Sequence, residues 1–105
     1  MLLPGPVAWN AANWVERAFF DDALEILPAE SPLRAKIELC VAAQIDSLDL
    51  EAAPKADVAA LATLIDEVID WTTAESFADP AQWPVYVRKL EELRELVRCQ
   101  VVPPP

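Results

Sequence analysis

The stretch PKADVAALATLIDEVIDWTT, residues 54–73, decides the fold. Taken at about 100° per residue, Val58, Leu61, Leu64, Ile65, Val68, Ile69 and Trp71 gather on one side of a helix. Thr63, Asp66, Glu67 and Asp70 gather on the other. A helix of this kind draws its stability from neighbours that cover its apolar side. Pro54 stands at its start, where a missing N–H removes no helical hydrogen bond.

The rest of the chain supplies such neighbours. A first helix is predicted over about 8–27, with Val15, Phe19, Phe20, Ala23, Leu24, Ile26 and Leu27 filling roughly half its circumference. An arc that wide calls for two neighbours and a central place. A second is predicted over 32–50, opened by the cap Ser31 and by Pro32, with Leu33, Ile37, Cys40, Val41, Ile45 and Leu48 facing inward. Leu39 and Leu50 fall on its opposite side and are candidates for contacts beyond the bundle. A fourth is predicted over 84–99, after the cap Asp79. Its Tyr86, Leu90, Leu93 and Val97 repeat at four-three-four spacing, a narrow seam. Arg88–Glu92, Glu91–Arg94 and Glu95–Arg98 are spaced to pair along its outer faces.

No run alternates apolar and polar residues with period two, so no strand is expected. The links are short, which favours antiparallel neighbours. The expected fold is all-α, a single-domain up-down antiparallel four-helix bundle with a Pro-rich tail at 100–105. Met1-Leu2-Leu3 runs into Pro4-Gly5-Pro6 without the basic and apolar regions of a signal peptide, and no apolar run is long enough to span a membrane. The expected location is the cytoplasm.

The chain has one glycine and no histidine in 105 residues. A Gly-rich phosphate loop is therefore excluded, and so are imidazole bases and imidazole metal ligands. Cys40 faces the predicted core, and Cys99 lies near a helix C-terminus, where the dipole does not activate a thiol. Two free thiols are expected. The acidic groups Asp21, Asp22 and Glu25, and Asp66, Glu67 and Asp70, fall on predicted exposed faces, not in buried pairs suited to acid–base work. No enzyme activity, metal or cofactor is expected.

Asp46-Ser47-Leu48-Asp49 resembles the Asp-Ser-Leu attachment site of acyl carrier proteins, which are also small, acidic and helical. That resemblance implies a carrier with phosphopantetheine on Ser47. In that family the motif opens a helix after a loop, whereas here it falls near the end of a predicted one.

Net charge is −10. Residues 1–83 hold four basic and fifteen acidic side chains, while residues 84–105 hold four and three. Such a chain repels nucleic acid and anionic lipid and attracts basic proteins. Apolar residues make up 54%, leaving apolar surface for a partner or a second copy. Trp9 and Trp14 are placed toward one end of the bundle and Trp71 and Trp83 toward the other, plugging both. Trp14 falls on the polar side of its helix, where an aromatic side chain can anchor an interface.

In size and charge the chain is similar to bacterial immunity proteins and antitoxins. The expected function is that of a non-catalytic inhibitor of a basic partner, such as a toxin or nuclease. Its candidate binding residues are Trp14, Asp21, Asp22, Glu25, Asp66, Glu67 and Asp70. The alternative is a homo-oligomeric scaffold or secretion-type adaptor, a dimer built on Leu39, Leu50 and the fourth-helix seam.

Overall fold

A computed structural model describes residues 1–5, 7–44 and 48–101. Four α-helices dominate the described residues: α1 (Asn13–Ile26), α2 (Pro32–Ala42), α3 (Lys55–Trp71) and α4 (Gln82–Val101). A single 3-10 turn, Ala74–Ser76, lies between α3 and α4. The helical prediction holds in number and order. The core also follows it closely: Val58, Leu61, Leu64, Ile65 and Val68 of α3 are buried, as are all four seam residues of α4. α3 packs on each of the other helices, most extensively on α4. α1 has the two neighbours its wide arc called for, α2 and α3, but α3 is the more central.

The N-terminus departs from the all-helical expectation. Strands β1 (Leu2–Leu3) and β2 (Val7–Ala8) pair antiparallel, with Leu2 opposite Ala8 and Leu3 opposite Val7. The turn rests on Gly5, whose φ of 100° is a conformation that side-chain-bearing residues rarely adopt. Leu2 also forms a parallel bridge with Asp49: its N–H donates to the Leu48 carbonyl at 2.9 Å, and the Leu50 N–H donates to the Leu2 carbonyl at 2.7 Å. The alternation of buried Leu48, exposed Asp49 and buried Leu50 is that of a strand. α1 consequently begins at Asn13, because the residues before it serve the hairpin.

α2 stops at Ala42 instead of continuing to 50. Ala43 caps it, and Gln44 follows with φ of 55°, a left-handed turn that ends the helix. Two burial assignments change as a result. Val41, expected inside, is 43% exposed, whereas Leu50, expected outside, is fully buried. Ile45 and Ser47 lie outside the described residues. α4 begins two residues earlier than predicted, at Gln82. Pro84 falls within its first turn, where the backbone N–H has no helical acceptor to lose.

The buried carboxylates Glu16 and Asp57 are paired, whereas Thr72 Oγ1, Trp83 Nε1 and Arg94 Nε are buried side-chain atoms without a hydrogen-bond partner among the described residues. The terminal ammonium of Met1 donates to Glu16 Oε1 at 2.6 Å and to the Trp9 carbonyl at 3.2 Å, so the buried Glu16 carboxylate has a counter-charge. Lys36 Nζ donates to Asp57 Oδ2 at 2.5 Å, and Asp57 also lies in the first turn of α3, where negative charge is favoured. Ser31 caps α2 as predicted, accepting from the Arg34 N–H at 3.3 Å. Arg34 closes the preceding helix. Its Nη1 donates to the carbonyls of Leu24 at 2.6 Å and Leu27 at 2.7 Å, while Nε donates to Glu38. A guanidinium here satisfies two orphan acceptors and sits at the negative end of the α1 dipole.

Arg34→Met keeps the aliphatic stem and removes those bonds. It is expected to lower unfolding free energy by about 1–3 kcal/mol, read from urea denaturation. An unchanged midpoint would show that the α1 terminus does not need the guanidinium.

Candidate functional site

The outer stripe of α3 is set by the same periodicity that buries its inner one. Ala56, Ala59, Thr63, Asp66, Glu67, Asp70 and Trp71 are all exposed. Asp66 lies 3.6 Å from Arg94 Nη1 on α4, and Arg94 is shared with Glu91 at 3.9 Å. Among the described residues Glu67 and Asp70 make no ion pair.

Trp71 belongs to this stripe, contrary to its predicted place in the core. It is 52% exposed. The residue lies at the rim of the apolar arc and is the last of the helix. The chain leaves the helix at Thr72, whose own side chain is buried, and the indole remains outside. Glu67 stands one turn before Trp71 on the same face. An aromatic side chain among uncommitted carboxylates has the make-up of an interface anchor. The signal in the sequence was its position at the end of the pattern, where the wheel alone does not decide burial.

The second acidic group, on α1, is divided. Asp21 and Glu25 are exposed, while Asp22 is half-buried and accepts from the Tyr86 hydroxyl at 2.7 Å. Burial pushes the Asp22 carboxyl above its ordinary value. The Tyr86 hydrogen bond opposes that shift, and the charges of Asp21 and Glu25 add to it. Burial, with Asp22 beside it, also raises the Tyr86 hydroxyl. The carboxylates that act on Asp22 come from its own helix; those of α3 are not among them.

Trp14 is not at the far end from the third connection. Phe77, just after the 3-10 turn, meets Trp14 edge-on at 6.5 Å between ring centroids and Tyr86 at 5.2 Å. The α3–α4 connection thus lies across α1, and the half-buried Trp14 is part of the packing that holds it. Trp9 is also an internal residue. It packs edge-on against Phe19, and its indole N–H donates to the Lys89 carbonyl at 3.1 Å.

Other chemistry finds little support among the described residues. No group of three carboxylates or thiols is arranged to hold a metal ion. Both cysteines are free; Cys40 is buried and Cys99 exposed. Burial, with Glu16 nearby, pushes the Cys40 thiol up, away from the reactive thiolate. Residues 48–54 contain no helix, so none opens directly after the Asp-Ser-Leu motif; α3 starts at Lys55. The α4 seam proposed for dimerisation is buried inside the monomer, as is Leu50. Leu39, at 70% exposed, remains available. No helix is long and apolar enough to cross a membrane among these residues.

The raised Asp22 carboxyl has a defined pH signature. The folded state holds this proton more tightly than the unfolded chain. The group therefore contributes stability below the ordinary value of 3.8, and that contribution is lost as pH rises through the folded value. Asp22→Asn retains an acceptor for Tyr86 and does not titrate. Its stability relative to the parent is expected to be greater at neutral pH than below 3.8, measured by urea denaturation at both. An identical difference at the two pH values would contradict the raised carboxyl. Comparison of the chain with protein-family models, characterised proteins and solved structures found no match.

Proposed function

We propose that this chain is a small, non-catalytic protein-binding domain that neutralises a basic protein partner, in the manner of an immunity protein or antitoxin. The observation that carries the reading is the outer stripe of α3, where Glu67 and Asp70 stand exposed beside a half-exposed indole and, among the described residues, make no ion pair. The net charge of −10 supplies a long-range field. A field of that sign raises the encounter rate with a basic surface, and a desolvated aromatic contact then slows release. Asp21 and Glu25 on α1 extend the negative surface, and Asp66 contributes while shared with Arg94. The reading takes the helices as an up-down antiparallel bundle. The short α1–α2 link, closed by Arg34, supports antiparallel α1 and α2, while the Trp14–Phe77 contact brings the start of α1 to the α3–α4 connection, which a strict up-down order would place at the opposite end.

A second reading, self-association, is favoured by one observation: Leu39 and Val41 are exposed on α2. Sedimentation of the purified chain separates the two readings, since a salt-insensitive dimer with no basic partner is what the second requires.

The main test begins with capture from source-cell lysate at low and high salt, followed by association kinetics with the recovered basic protein. Joint substitution Glu67→Lys and Asp70→Lys is expected to slow association about tenfold or more at low salt, and less at high salt. An association rate indifferent to both substitution and salt would remove the electrostatic mechanism.

A further inference from the structure

We propose that the exposed face of the Trp71 indole is a receptor for an arginine side chain of the basic partner. This deepens the reading above and depends on it. Trp9 and Trp14 spend their rings inside the protein, one against Phe19 and the other against Phe77. Trp71 is 52% exposed on the last residue of α3. A cation over the face of tryptophan gains the strongest of the cation–π attractions, and more when the contact is desolvated.

The surroundings select which cation. Glu67 lies one helical turn before the indole and Asp70 precedes it directly; both are exposed, and among the described residues neither is ion-paired. A guanidinium laid on the ring has a carboxylate within the same stripe to receive its N–H groups. Arginine suits such a site better than lysine, because its planar, weakly hydrated head stacks and donates at once. An apolar occupant fits poorly, since it would strip water from Glu67 and Asp70 and return no counter-charge. A second copy of this chain would bring −10 against −10.

The test uses the full-length, isotope-labelled protein and capped oligo-arginine and oligo-lysine peptides, followed by NMR at low salt. Trp71→Phe, Trp71→Leu and the pair Glu67→Gln with Asp70→Asn are compared with the parent, each first checked for an unchanged thermal transition. The arginine peptide is expected to shift the Trp71 indole N–H and the outer amides of α3 most, and to bind more tightly than the lysine peptide. Trp71→Leu should weaken it about five- to thirtyfold, and Trp71→Phe by less, because phenylalanine keeps a ring face. Neutralising Glu67 and Asp70 should erase the preference for arginine.

If the peptide binds while the Trp71 resonance stays still and Trp71→Leu binds equally well, the arginine receptor is overturned and the acidic-surface reading stands. If neither peptide binds at low salt, both are overturned.

Discussion

The inner stripe of α3 is the constraint on which the rest of the molecule depends. Val58, Leu61, Leu64, Ile65 and Val68 are buried, and α1, α2 and α4 all pack on the helix that carries them. No other described helix meets all of its fellows so extensively. Three packed sides leave a single narrow strip of α3 facing water. That strip must be polar along most of its length, and the period of the helix places Thr63, Asp66, Glu67 and Asp70 there. The same geometry that makes α3 the centre of the core therefore makes its back an acidic face. Core and candidate site are two readings of one periodicity.

A core built around one helix has to admit some polar groups at its edges, and their pairing explains the shape of the connections. Glu16 faces inward on α1 and meets the terminal ammonium; Asp57, in the first turn of α3, meets Lys36 of α2. A buried charge without a partner would cost several kcal/mol, so each of these pairs ties two distant segments together. Arg34 performs the same task for backbone groups, joining the end of α1 to the start of α2. The hairpin adds a fourth tie. Leu2 bonds to the 48–50 segment, which lets Leu3, Leu48 and Leu50 fill one corner of the core.

Elements with repeated local signals were legible in the sequence. The α4 seam is visible because four residues repeat the same spacing, and all four are buried. Ser31 is visible because its hydroxyl acts three residues away. The misses arise where the deciding contact is distant or the usual marker is missing. α2 ends in a left-handed turn made by Gln44, where glycine or asparagine would have announced it. β1 and β2 are two residues each, too short to show a period, and Leu2 meets Asp49 across the whole of α1 and α2. Trp14 looked like a surface residue on its own helix because Phe77, which covers it, is 63 residues further along the chain. Of the candidate site, the acidic stripe of α3 was readable from the wheel, while the place of Trp71 at its end was not.

The acidic side chains of this protein include two sets that net charge alone does not separate. Glu16 is held by the buried terminal ammonium, Asp57 by the partly exposed Lys36, and Asp22 by Tyr86. Asp21, Glu25, Glu67 and Asp70 face water. All of them contribute to the field felt at a distance, because that field sums over charges regardless of what each one touches. On the proposed reading, the second set is the one placed to contact a partner. That reading therefore draws steering and docking from different residues. Asp22 bonds Tyr86, against which Phe77 of the α3–α4 connection packs, while Glu67 lies on the exposed stripe of α3. On the proposed reading, Trp71 brings apolar area to the uncommitted set, and the end of α3 is where attraction at a distance becomes adhesion.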